Sequence, residues 1–259
     1  MARIRGIGTA QHARRRVIRP WNPLLIFGVD LELWLRSDLL VGFSGSDVLT
    51  WGDLSTKGRN FSTTAGSRPI INLTDANWAG KPSLGFDATP LWLDSDDAAS
   101  VWKFLHDGTG GGALIVYRLN STAAQVALMT ANTSTDIGIQ LWGRVSGAQT
   151  IRLPNGVGGF TFNNGIANAI NTNYYGYFAY LEGRPVNEWT HDLLATSNQG
   201  NSSGAPVAAN PTASLRIGAR LDATSGTRGV ILEIIAFSVY PSDQQFVQLK
   251  AYLDTRYSF

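Results

Sequence analysis

At 259 residues, 44% hydrophobic and with eight Trp, the chain is large enough for one sizeable β domain with a substantial core. It has no Cys, which excludes disulfides and thiolate metal sites, and no apolar run long enough to cross a membrane. Charge is uneven: residues 1–20 hold six Arg and no acid, so a net charge of +2 leaves residues 21–259 at −4.

Arg3, Arg5, Arg14, Arg15, Arg16 and Arg19 define a basic arm over residues 1–23, ahead of a body over residues 24–259. Such an arm is either a loose tail or a docking segment. Arg14-Arg15-Arg16 suits phosphates, but residues 1–20 contain no aromatic ring on which a base would stack. Docking on protein is therefore favoured over nucleic acid. Residues 1–20 also lack the apolar stretch of a secretory signal. Pro20-Trp21-Asn22-Pro23 predicts a stiff extended connector, with Trp21 as an apolar anchor.

The first strand falls within Leu24–Arg36. Asp30 and Glu32, two apart, would share one face of a strand, which raises the question of a glycosidase acid pair. Trp51-Gly52-Asp53-Leu54-Ser55 reads as a tight turn in which Asp53 accepts backbone N–H groups. Trp78, in the polar stretch Ala76–Gly80, is expected at the surface, and Trp92, in Leu91-Trp92-Leu93, in the core. Asp94-Ser95-Asp96-Asp97 brings three carboxylates within four residues but lacks the Asp-x-Asp-x-Asp-Gly order of a Ca²⁺ loop, so it reads as a solvated turn. No metal or cofactor is assigned.

Gly110-Gly111-Gly112 precedes a buried strand at Ala113–Arg118. Gln125–Thr130, Asp136–Arg144 and Gln149–Leu153 continue at meander spacing. Asn171–Leu181 is the most aromatic segment, with Tyr175 and Tyr177 on one face, and Pro185–Trp189 is the next strand. Gln199–Pro211 has the composition of a surface loop. His12, His106 and His191 are scattered and suggest no catalytic triad. Further on, Leu215, Ile217 and Ala219 alternate with Ser214, Arg216 and Gly218, as in a half-buried strand. Val230–Tyr240 is apolar and β-branched enough to lie mid-sheet. Pro241 ends it, and Ser242 caps a short helix that carries Phe246, Leu249 and Leu253.

The opening landmarks are Leu33-Trp34-Leu35-Arg36-Ser37-Asp38, Trp51–Ser55, Arg68-Pro69 and Leu84-Gly85-Phe86-Asp87. The closing ones are Ile217-Gly218-Ala219-Arg220, Glu233-Ile234-Ile235 and Tyr252-Leu253-Asp254-Thr255-Arg256-Tyr257. In this order, across residues 31–257, they resemble the laminin-G-like jelly-roll domains of the concanavalin A-like lectin/glucanase superfamily. The resemblance implies an all-β fold, an antiparallel two-sheet β-sandwich of concanavalin A-like jelly-roll type with an extended N-terminal arm and a short C-terminal helix. That architecture serves lectins, glycosidases and structural modules alike. Its glucanases carry Glu-x-Asp-x-x-Glu or Glu-x-Asp-x-Glu on one strand. No such cluster occurs here, and Glu233 stands alone within Val230–Phe237, so no catalytic residue is assigned and an enzyme is not expected.

Similar modules occur in tailed-phage virions. The first expectation is thus a non-catalytic structural or accessory protein of a virus particle. It would assemble in the host cytoplasm as a homo-oligomer and hold other virion proteins through its arm. The alternative is a carbohydrate-binding module for a host-surface glycan, with Trp78, Tyr175, Tyr177 and Trp189 as aromatic platforms.

Overall fold

The structure is a computed structural model that describes residues 21–86, 90–121, 125–133, 135–143, 148–157, 160–167, 169–181, 186–191, 198–200 and 207–259. Within these, it describes the backbone alone at 125–127, 142–143, 148–150, 160–167, 186–191 and 198–200. The basic arm, with Arg3, Arg5, Arg14, Arg15, Arg16 and Arg19, lies outside the described residues.

Of the stiff connector expected over Pro20–Pro23, Asn22 is extended as expected, but Pro23 already begins a helix. Asn22 is extended at φ −146° and accepts from the Leu25 N–H at 3.0 Å, and Pro23 supplies the preset φ of a first helical residue. Helix α1 (Pro23–Phe27) runs into a 3₁₀ turn at Gly28–Asp30. Asp30 therefore precedes the strand and does not share a strand face with Glu32.

Strands β1 (Leu31–Arg36), β2 (Val41–Ser44), β3 (Asp47–Trp51), β4 (Phe61–Ser62), β5 (Ile70–Asp75), β6 (Lys81–Phe86) and β7 (Leu93–Ser95) follow. Next come β8 (Thr109–Leu119), β9 (Gln125–Met129), β10 (Gln140–Gly143), β11 (Ala148–Leu153) and β12 (Phe160–Ala167). The last are β13 (Asn173–Leu181), β14 (Val186–His191), β15 (Asn198–Gly200), β16 (Arg216–Ile217) and β17 (Gly229–Phe237), before helix α2 (Asp243–Tyr257). The strand expected through Ser214–Ala219 is thus confined to two residues, and α2 runs through the closing landmark Tyr252–Tyr257.

All the named strand pairings are antiparallel. In the first sheet β17 is central, as its apolar run predicts. One edge pairs with β8, and the other with β6 over its first residues and β1 over its last. Beyond β8 lie β13, β14 and β15. The second sheet runs β4-β7-β16-β9-β10-β11-β12. Strands β5 and β3 link the two at one side.

Two cores result. Leu33, Leu35, Ile115, Tyr117, Ile231 and Ile234 from the first sheet meet Leu93, Leu128, Leu141, Ile151 and Ile217 from the second. On the first sheet's other face, Leu114, Val116, Tyr175, Tyr177, Ile235 and Phe237 pack beneath Ile26 and Phe27 of α1 and Leu249, Tyr252 and Leu253 of α2. Each such buried side chain contributes about 1.5–3 kcal/mol. One glycine is dictated by this packing: Gly218 has φ +96°, and a Cβ there would stand 2.4 Å from the Phe86 ring.

Candidate functional site

Side chains alternate across a strand, so the register of the second sheet fixes which residues look away from the core. Leu93, Ile217, Leu128, Leu141 and Ile151 are lateral partners and face inward. Their neighbours Asp94, Arg216, Met129, Gln140 and Arg152 are also lateral partners and form a row across the outer face. Met129 and Gln140, mid-row, are fully buried, while Asp94, Arg216 and Arg152 are half-buried.

At one end of the row stands Trp92. The Arg216 guanidinium lies 4.6 Å from the centre of its ring, and its Nε1 donates to Asp94 Oδ2 at 3.1 Å. Asp94 grips Arg216 in a two-pronged contact, from Nε at 2.7 Å and Nη2 at 2.9 Å. Arg216 Nη1 donates to the Arg220 and Leu221 carbonyls, both at 3.1 Å. Next to it, Arg220 pairs with Asp222 at 3.3 Å and donates to Asn132, whose amide donates to Asp222 at 2.9 Å. Slight burial raises the Asp222 pKa. Hydrogen bonds from Thr224 and Asn132, with the charge of Arg220, outweigh it and bring the group to about 2. The result is a rigid, half-open polar surface beside an indole ring.

The predicted platforms fall elsewhere. Trp78, expected at the surface, is 3% exposed: Asp75 caps the 3₁₀ turn Ala76–Trp78, and the indole packs edge-on against Tyr257 and Phe259. Tyr175 and Tyr177 do share a face, but it is the helix-covered one, and each is 2% exposed. Three of the proposed rings are therefore occupied in packing. The Trp189 side chain lies outside the described residues, although its backbone is in β14. Trp21 is 41% exposed at the start of the described chain. Trp92, expected in the core, is half-buried on the outer face.

The acids the sequence raised are tied to the fold. A register shift between Ile231 and Glu233 breaks the alternation of β17 and turns Glu233 toward the helices. There it is fully buried. It accepts from Trp34 Nε1 at 2.6 Å, Tyr252 OH at 2.6 Å and Tyr257 OH at 2.5 Å, with Arg256 Nε at 3.2 Å. Burial pushes the Glu233 pKa up, against those four donors. Arg256 also reaches Asp38 at 2.8 Å; burial raises Asp38, but the bonds and charges of Arg36 and Arg256 prevail and hold it low. Glu32 is held by Arg59 at 2.7 Å, Lys57 at 3.2 Å and Ser238 at 3.0 Å. Asp53 is the expected turn acceptor, taking N–H bonds from Trp34, Ser55 and Arg59. Of the four residues expected as a solvated turn, Asp94 and Ser95 instead lie on β7, Asp94 clamped to Arg216, and Asp96 beyond them accepts from Ser62. Among the described residues no three His, Asp or Glu side chains are grouped to hold a metal ion, and no helix is long and apolar enough to cross a membrane.

No protein-family model matches the chain, and a search of curated proteins likewise finds no match. Solved structures do match. The ligand-binding domain of botulinum neurotoxin serotype D, in complex with N-acetylneuraminic acid, aligns over 89% of this chain and 52% of its own, with TM-score 0.57 and 11% identity. A sialidase of Trypanosoma rangeli, in complex with 2,3-difluorosialic acid, aligns over 87% and 33%, with TM-score 0.52 and 10% identity. The chain thus spans about half and about a third of those proteins. At this identity the likeness is one of fold, and the fold is the antiparallel lectin-like β-sandwich that the sequence predicts.

Proposed function

We propose that the protein is a non-catalytic carbohydrate-binding module that takes its glycan on the outer face of the second sheet, at Trp92. The observation that carries this reading is the half-buried indole set against the Arg216–Asp94 clamp, with Asn132, Arg220 and Asp222 alongside. Pyranose rings are recognised by an aromatic surface together with a few fixed polar groups, and this arrangement holds both in place before a ligand arrives. The two neighbours, both with sialic-acid-type ligands in their structures, support glycan binding more than the particle role. On this reading Glu233 and Glu32 anchor the fold and transfer no protons.

Glycan-array binding of the wild-type chain against Trp92→Ala tests the assignment. The variant should keep its far-UV spectrum and its thermal transition and bind about ten-fold more weakly or worse. Unchanged binding would place the glycan elsewhere.

A second reading, docking of the body through residues 1–23, retains one observation. Trp21, Leu25 and Val29 are 41%, 54% and 80% exposed where that segment joins the body. Deleting residues 1–22 should then leave a folded, glycan-binding body that no longer joins its particle or oligomer; assembly at wild-type levels would reduce the segment to a tail.

A further inference from the structure

Further along the outer row stand two residues that each keep one polar atom without a partner among the described residues. Gln140 of β10 and Arg152 of β11 stand directly opposite one another. Both lie on the outer face, since Leu141 and Ile151 beside them face the core. The Gln140 amide nitrogen donates to the Ala131 carbonyl at 3.0 Å, but its oxygen, fully buried, accepts from no donor among the described residues. Arg152 is half-buried; its Nε is shielded from solvent and donates to no acceptor among the described residues. Among the described residues no carboxylate pairs with it, whereas the nearby cations Arg216 and Arg220 are paired with Asp94 and Asp222.

A shielded donor and a shielded acceptor left open side by side are a standing loss to the folded state, and such groups are rare unless something else satisfies them. The hydrogen-bond inventory of the pair defines what would do so. Arg152 needs an acceptor, best an anionic oxygen that a guanidinium can hold with two N–H groups. Gln140 needs a donor such as a hydroxyl. A neutral sugar offers hydroxyls to Gln140 but no anion to Arg152, and inorganic phosphate offers the reverse. A hydroxylated carboxylic acid offers both.

We infer that Arg152 anchors the carboxylate of an acidic sugar, of the uronate or sialate class, with Gln140 beneath it as the positioning residue. This rests on the glycan-binding reading and narrows its ligand. Arg152 is the group the ligand meets, because it is the more exposed of the two. The Gln140 oxygen takes a hydroxyl once the acid is seated.

The test is calorimetric titration of the full chain with uronate- and sialate-terminated oligosaccharides, each beside its carboxyl-reduced counterpart. At least one acidic member should bind about ten-fold tighter than its reduced form, with the preference shrinking as salt rises. Arg152→Met should erase the preference while sparing the weaker binding of the reduced sugar. Gln140→Glu should do the same by a different route, because its new carboxylate occupies Arg152 from within; it also serves if Arg152→Met fails to fold. Equal binding of acidic and reduced sugars would overturn the carboxylate anchor and leave the glycan reading standing. Binding of neither would overturn both. A preference that survives both substitutions would put the anion elsewhere and defeat the assignment of Arg152.

Discussion

Glu233 shows how one position can be visible in a sequence while its surroundings are not. Its isolation in an apolar strand is plain, and so is the improbability of a lone acid catalysing glycoside hydrolysis. The register shift that turns it toward α2 depends on its pairing with β8 and has no local signature. Removing the carboxylate would strand three donors and Arg256 in an apolar layer. Glu233→Ala should therefore cost about 3–5 kcal/mol in urea unfolding, and Glu233→Gln, which keeps an acceptor, clearly less. A second residue-scale prediction concerns His106. It is buried, with Nε2 3.2 Å from the Ala209 carbonyl and Nδ1 without a partner among the described residues. Burial depresses its pKa below the ordinary 6.5; the Ala209 bond and Asp107 oppose this, and Lys103 adds to it. Above pH 6.5 the ring is neutral folded or unfolded. As pH falls below that, the unfolded ring takes up its proton first, so stability is lost until the folded ring titrates as well. The decline should be flatter in His106→Gln. Trp78 and Trp92 exchange their expected places for a related reason. Polar neighbours made Trp78 look exposed, but a capped 3₁₀ turn drives it inward. Strict alternation in Leu91-Trp92-Leu93-Asp94 did carry the signal that Trp92 sides with Asp94.

At the scale of elements, local chemistry was the more legible part. Ser242 caps α2 as predicted, and Gln245 completes a reciprocal capping box. Ser242→Ala should cost about 1 kcal/mol, read as a lower denaturant midpoint at constant slope. Strand limits were less legible where pairing is short. Ser214–Ala219 alternates like a strand, yet β16 pairs over two residues only, since Gly218 at φ +96° turns the chain away. Gly218→Ala would force a side chain into the left-handed region and against Phe86; a loss of about 2 kcal/mol or more is expected in the same assay. Helix α1 was missed because Pro20 and Pro23 argued for extension, whereas Asn22 uses Pro23 to begin a turn.

For the molecule as a whole, the two-sheet sandwich was readable because its landmarks recur in order from Leu33 to Tyr257. The outer row was not. Met129, Gln140 and Arg152 lie on consecutive strands that the meander spacing predicts, but Asp94 and Arg216 join them only through the β7–β16 and β16–β9 pairings between distant segments, which no periodicity reports. The layer of helices over the first sheet was likewise hidden, and with it the burial of Tyr175 and Tyr177. Because β17 serves both cores, the two should melt together in a single transition seen alike by tryptophan fluorescence and far-UV dichroism.

The central place of β17 also sets the tempo of self-assembly. It must find β1, β6 and β8, and its Glu233 must meet Trp34 across 199 positions, before either core can close. Loop-closure entropy is spent early and rewarded late in such a topology, which puts folding in the millisecond-to-second range. During that interval β8, six of whose residues belong to one or other apolar core, has open edges. Refolding yield should consequently fall steeply with protein concentration, because a second chain's strand competes for the edge that β17 has yet to reach.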